Sequence, residues 1–184
     1  KDSIIASQNI RFEGDGYSEE WKQEAARRGL TNICHVPEAI MKFNDPQSRA
    51  VLLGEKIFNE NELSCRIEVE LEKFTKKVQI ESRILGDLAI NHIIPTAVIY
   101  QNRLLENLKG LRETFSAEEY EMLGADRREL VKNIQQRILA IKQLVREIIE
   151  ARKTANQLPS QIEKACSYAD HIRPYLEEIR EHID

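Results

Sequence analysis

Glycine and proline are scarce, seven and five in 184 residues, and aromatic side chains make up 6% of the chain. That leaves little material for turns, and with many Glu, Lys, Arg, Leu and Ile the composition favours helices. The shortage of glycine also removes any Gly-rich phosphate loop. Gly14-Asp15-Gly16 lacks both the flanking strand and the third glycine that such a loop needs. The three cysteines, Cys34, Cys65 and Cys166, are odd in number and far apart, with no Cys-x-x-Cys. They give no disulfide framework and lead us to expect a reduced cytoplasmic protein with free thiols. No run of about 18 apolar residues exists, so no membrane span is expected, and no signal peptide is visible. Net charge is −4 with the two signs mixed, which argues against a basic face for nucleic acid. The chain starts at Lys1, and Ser3-Ile4-Ile5 reads as the middle of something, so a piece of a longer protein is expected.

What is present is helical periodicity. From Glu62 to Thr114 apolar residues recur at Leu63, Ile67, Leu71, Phe74, Val78, Leu85 and Leu88, then at Ile94, Ala97, Leu104, Leu108 and Leu111. Steps of three, four and seven predict one long helix. Pro95 lacks the amide that would bond the carbonyl of Asn91, so a kink is expected there rather than a stop. From Ile94 the stripe is heptad-like but interrupted by Gln101. Ser116-Ala117-Glu118-Glu119 predicts a capping box opening a second long helix to about Asn156. Its stripe is Val131, Ile134, Ile138, Ile141, Val145, Ile148, Arg152 and Ala155, a strict alternation of three and four typical of a coiled-coil seam. After Leu158-Pro159, Ser160 and Glu163 predict another capping box. A third helix follows with Ile162, Ala165, Ala169, Ile172, Leu176, Ile179 and Ile183, and Pro174 is expected to bend it.

The first third reads as short helices. Residues 2–11 are expected to end a helix begun upstream. Ser18 caps a helix from Glu19 to about Arg28, with Gly29 as its left-handed C-cap. Pro37 and Pro46 open two more as first-turn prolines, the second ended by Gly54. The connections at about 115–117 and 157–160 are very short, and short loops force antiparallel neighbours. The expected fold is all-α: an elongated antiparallel bundle of three long helices with a cap of short helices. Residues 1–60 form the short-helix region and residues 61–184 the bundle.

Chemistry is hard to find. None of His35, His92, His171 and His182 follows a Glu or Asp by three positions, and no His-Glu-x-x-His occurs. Cys34-His35 is a lone adjacent pair, more readily structural than metal-binding. His92, just before Pro95, reads as a packed or capped histidine. Glu68, Glu70, Glu72 and Glu81 are acidic, but 68 and 72 share a helix face that 70 does not. Interleaved Lys73, Lys76 and Lys77 make this a solvated face, with Glu72–Lys76 a favourable pair. No Ser, His and Asp are spaced as a triad. The stripes could bind a partner, but core packing is the simpler use for them. No catalytic, cofactor-binding or metal-binding residue is assigned in this segment.

Four runs carry a resemblance. Glu62 to Phe74 (ELSCRIEVELEKF), Gln79 to Arg83 (QIESR) and Asn91 to Ala97 (NHIIPTA) resemble the C-terminal domain of type III glutamine synthetase. Arg11 to Ser18 (RFEGDGYS) resembles the segment just after that family's catalytic region. The resemblance spans nearly the whole chain, with little specificity in the last third. It implies a parent enzyme that makes glutamine from glutamate, ammonia and ATP with Mg2+ or Mn2+, through a γ-glutamyl phosphate. It implies assembly of the parent into stacked rings, a homo-oligomer. The family's metal-binding glutamates and phosphate-binding arginines belong to an upstream catalytic domain, so no catalytic residue is carried over and this segment is expected to be architectural and inactive alone. The alternative is a free-standing helical scaffold that binds a protein partner through its stripes.

Overall fold

A computed structural model of the chain describes residues 2–7 and 11–184, and all regular elements among them are helical. Short helices come first: α1 (Asp2–Ala6), α2 (Glu19–Arg27), α3 (Val36–Met41) and α4 (Pro46–Gly54). The expectation for residues 2–11 falls partly on 8–10, outside the described residues. Two long helical runs and a third, shorter one follow. The first comprises α5 (Glu60–Leu88), a π-helical turn (Ala89–Ile93) and α6 (Ile94–Thr114). The second is α7 (Ala117–Asn156), about 60 Å long at 1.5 Å per residue. The third comprises α8 (Gln161–Ser167), another π turn (Tyr168–Ile172) and α9 (Arg173–Ile183).

Local chemistry explains most of these boundaries. Ser18 accepts from the Trp21 amide at 3.2 Å. Ser116 and Glu119 form the expected reciprocal capping box at the start of α7, which holds the Glu119 carboxyl below its ordinary range. At Ser160 only half a box forms: the hydroxyl accepts from the Glu163 amide at 3.5 Å, without the return contact. Asn59 and Glu62 make a full box at the start of α5 that the sequence reading did not anticipate. Gly29 takes φ +69 after α2, as expected. Gly54 is the last residue of α4, as expected, and the positive φ, 57°, falls two residues later at Lys56.

Pro95 is met by a wider turn instead of a break. The Ile94 amide donates to the Ala89 carbonyl, five residues back. A π turn absorbs one extra residue, which gives the proline ring room where an α turn would crowd it. It also preserves register. Ala89 and Ile94 are five apart, yet both are buried in one cluster with Ile138, Ile141, Val145 and Ile179. The same device precedes Pro174, where the Arg173 amide donates to the Tyr168 carbonyl.

Three clusters of buried apolar side chains run along the long helices. One joins Leu63, Ile67 and Leu71 of α5 to Ala165 of α8, with Ile40, Met41, Leu52 and Leu53 of α3 and α4 packed against it. The next joins Val78 to Ile148, Ala155, Tyr168 and Ile172. The last is the one spanning the π turn at Ala89–Ile93. The α7 seam is buried at Ile138, Ile141, Val145, Ile148 and Ala155. Gln101, the polar interruption in α6, donates to the Val131 carbonyl at 3.1 Å.

Two expectations need correction. Leu88 is 43% exposed. The α5 seam is completed instead by Thr75, Ser82 and Gly86, which are buried. An ideal Cβ on Gly86 would sit 3.6 Å from a Val145 methyl, so the absence of a side chain there marks close approach of α7. The other correction concerns the expected bundle of three long helices, whose third member is short and does not extend along most of α6. That member packs instead along α5 and the C-terminal half of α7, as the shared clusters show. Arg137 donates to the Glu181 and His182 carbonyls at 3.1 and 3.2 Å, which places the end of α9 beside residue 137. Beyond that level only α6 and the first part of α7 pair with each other. Of the short helices expected to cap the bundle, α3 and α4 pack on α5, while α2 contributes to none of the three clusters.

Two glycines give a paired stability test. A Cβ at Gly110 in α6 would meet nothing within 4 Å, so Gly110→Ala should raise stability by about 1 kcal/mol through helix propensity. Gly29→Ala should lower it by about 1 kcal/mol, since alanine pays for the left-handed conformation. Urea denaturation of both variants checks the opposite signs.

Candidate functional surfaces

The structure brings Cys34-His35 beside the π turn before Pro174. His35 caps α3: its Nδ1 accepts from the Glu38 amide at 3.3 Å. That leaves the proton on Nε2, which donates to Asp170 at 3.1 Å. The histidine thus ties a short helix to the third long run, a role the lone sequence pair could not reveal because Asp170 is 135 residues away. Cys166 lies near the same carboxylates. Burial pushes its thiol up, and Asp170 and Glu38 add to the shift. Cys34 and Cys65 are exposed. Alkylation by iodoacetamide at neutral pH should therefore show two fast thiols and one slow one, Cys166. Three equal rates would contradict the half-buried placement of Cys166.

The acids of α5 behave as a solvated face. Lys73 contacts Glu70 at 2.8 Å and Lys76 contacts Glu72 at 2.6 Å. No group of three or more His, Cys, Asp or Glu among the described residues could hold a metal ion. His92 is exposed, and its carbonyl accepts from Thr96 Oγ1 at 2.8 Å. In α2, hydrogen bonds from Arg27 and Arg28 hold the Glu24 carboxyl at about 2, below the ordinary 4.5. A depressed carboxyl stabilises the fold above about pH 4.5 and loses that contribution as pH falls toward 2. Glu24→Gln should accordingly narrow the difference in melting temperature between pH 5 and pH 2.

An open cleft lies between α3, α5 and α9. Val36, Ile40, Phe74 and Leu176 form its apolar floor, and charges of both signs form its rim. Lys73 pairs with Glu70 and Arg173 with Glu177 at the lip. The signs nearly cancel around the cleft. No helix among the described residues is long and apolar enough to cross a membrane.

The buried apolar residues therefore hold helices together, and the polar ones described above cap helices, bond between them, fill close contacts or face solvent. Against this background the comparisons with known proteins are specific. A family profile described as the glutamine synthetase C-terminal domain matches residues 1–112. A glutamine synthetase of Bacteroides fragilis (strain YCH46) is 70% identical over 184 residues, all of this chain and 25% of that protein. A glutamine synthetase of Butyrivibrio fibrisolvens is 23% identical over 185 residues, again all of this chain and 26% of that protein. A type-3 glutamine synthetase of Dictyostelium discoideum is 32% identical over 111 residues, 60% of this chain and 15% of that protein. The chain thus spans about a quarter of the length of the first two relatives. The match over residues 1–112 holds the Asn-His-Ile-Ile-Pro run and the π turn it forms, and with the full-length identity to the Bacteroides protein it shows that this chain belongs to the glutamine synthetase C-terminal domain family.

Proposed function

We propose that this chain is the helical C-terminal region of a type III glutamine synthetase and serves architecture and assembly, while an upstream catalytic domain makes glutamine from glutamate, ammonia and ATP. The observation that carries the proposal is the 70% identity over the whole chain to a quarter of the Bacteroides glutamine synthetase. ATP and Mg2+ or Mn2+ would be bound by that upstream domain. In this reading the three long runs form an elongated antiparallel bundle, with α3 and α4 as the cap toward the catalytic domain. The protein works in the cytoplasm as a homo-oligomer of stacked rings. A free-standing scaffold would have no reason to match one stretch of a much longer enzyme throughout its own length.

The purified chain should be strongly helical and should release no phosphate from ATP in a glutamate- and ammonia-dependent way, while the full-length protein does. Turnover by the isolated chain would sink the assignment. Excising residues 98–134 from the full-length protein and joining the ends with a short turn should leave the buried members of the three clusters in place, because these lie within residues 63–94 and 138–179. The expected result is retained phosphoryl transfer with a changed assembled mass.

A further inference from the structure

His35 uses both ring nitrogens, and only the neutral ring can do so. Nδ1 accepts from the Glu38 amide at 3.3 Å, and Nε2–H donates to Asp170 at 3.1 Å. A protonated ring carries hydrogen on both nitrogens and has no lone pair left for the amide. Histidine is the side chain whose charge ordinarily changes near neutral pH. The cap of α3 is therefore made by a group that stops capping when it takes up a proton.

The first turn of α3 has little else to hold it. Pro37 has no amide, and the Ala39 amide already bonds the His35 carbonyl at 3.0 Å. The Glu38 amide is the donor that depends on the imidazole. Further along, Ile40 and Met41 pack into the cluster shared with α5 and α8, and Pro37 is fully buried. The helix thus stays docked while the bond at its start is free to change. Val36, in that same turn, lines the open cleft together with Ile40.

The surrounding charges give a protonated ring another set of partners. Asp170 is already in contact with Nε2, and Glu38 carries a carboxylate three residues along. Cys166 of α8 lies close to both acids. Glu163, three residues before Cys166, continues the same side of α8 away from the ring. On the opposite side Lys22 of α2 lies near Cys34 and is paired with Glu19. From α5, Glu70, Lys73 and Lys77 line the cleft beside Val36, and Lys73 is paired with Glu70. A cation in the capping position also opposes the positive end of the α3 dipole. An imidazolium is therefore drawn to the carboxylates of Asp170 and Glu38 and repelled by the amide.

We propose that His35 is a pH-sensitive latch. Neutral, it closes the first turn of α3; protonated, it releases that turn and pairs with the two carboxylates, loosening the α3 wall of the cleft. The latch is independent of the assembly reading. Hydrogen exchange of the full-length protein tests it, read by mass spectrometry on fragments covering residues 36–41. After correction for the intrinsic pH dependence of exchange, protection of the Glu38 amide should fall about fivefold between about pH 8 and about pH 5, the effect of losing one cap. The first turn of α2 is the internal control and should hold steady, because Ser18 caps it without titrating in that range. His35→Asn, which caps through an amide oxygen at either pH, should make protection in α3 equally flat.

No fall in α3, or an equal fall in α2 and α3, would overturn the latch. A fall in the His35→Asn variant as large as in the parent would overturn it too. If that variant does not fold, the comparison of α3 with α2 in the unaltered protein decides.

Discussion

Ile138→Asp should lower stability by about 4 kcal/mol, and Lys132→Asp by less than about 0.5 kcal/mol. Ile138 is 4% exposed and packs in the cluster that contains both flanks of the first π turn, together with the C-terminal end of α9. A carboxylate there has no cation within the cluster and must either stay charged out of water or take up a proton. Lys132, six residues earlier on the same helix, is exposed. Chemical denaturation of the two variants compares like with like, because both introduce the same residue into α7. Equal losses would refute the register of the seam. The loss at 138 should also shrink as pH falls below about 5, since a protonated Asp is less costly to bury.

Tyr168→Ala should cost about 4 kcal/mol, and Tyr168→Phe about 1 kcal/mol. Tyr168 is the largest of the fully buried side chains. It opens the π turn before Pro174 and fills the middle cluster between Val78 and Ile148. Its hydroxyl donates to Asn156 Oδ1 at 2.9 Å, joining the end of α7 to the run that follows it. Alanine leaves a cavity where three helical runs meet, whereas phenylalanine removes only the hydrogen bond. If the two substitutions cost the same, the ring would not be the element that fills that junction.

Tyr168 also shows where sequence reading fails. It lies next to Ala169, which fits the 3-4 repeat, and the apolar stripe was drawn through the alanine. The π turn shifts the helix face at this point, and tyrosine, not alanine, reaches the core. Serine, threonine and glycine misled in the same way. Hydropathy favoured Leu88 for the α5 seam, but Thr75, Ser82 and Gly86 occupy it, and at Gly86 an ideal Cβ would sit 3.6 Å from a Val145 methyl of α7. Close approach leaves no apolar signal. The sequence reading left Ala89 off the stripe and placed a kink at Pro95, whereas a wide turn keeps Ala89 and Ile94 on one face.

Helix ends were far more legible. The Ser18 and Ser116 caps, the left-handed Gly29 and the first-turn prolines act through neighbouring residues, so their chemistry is local. Placement of the third run was only partly legible. The short loop at 157–160 fixed its direction against α7, yet nothing local told which half of the first long run it would join. The link from His35 to Asp170 depends on that placement and was equally hidden.

The proposed function requires that no group in this chain touch the reacting atoms of the parent enzyme. The direct measurement is kcat/KM for glutamine formation by the full-length protein carrying Cys34→Ser, His35→Gln and His92→Gln together. These replace the side chains that first suggested chemistry in the sequence. The account predicts a value within about twofold of the parent, since the changes touch a helix cap and an exposed surface. A loss of about a hundredfold with assembled mass and melting temperature unchanged would contradict it and place catalytic chemistry in this domain.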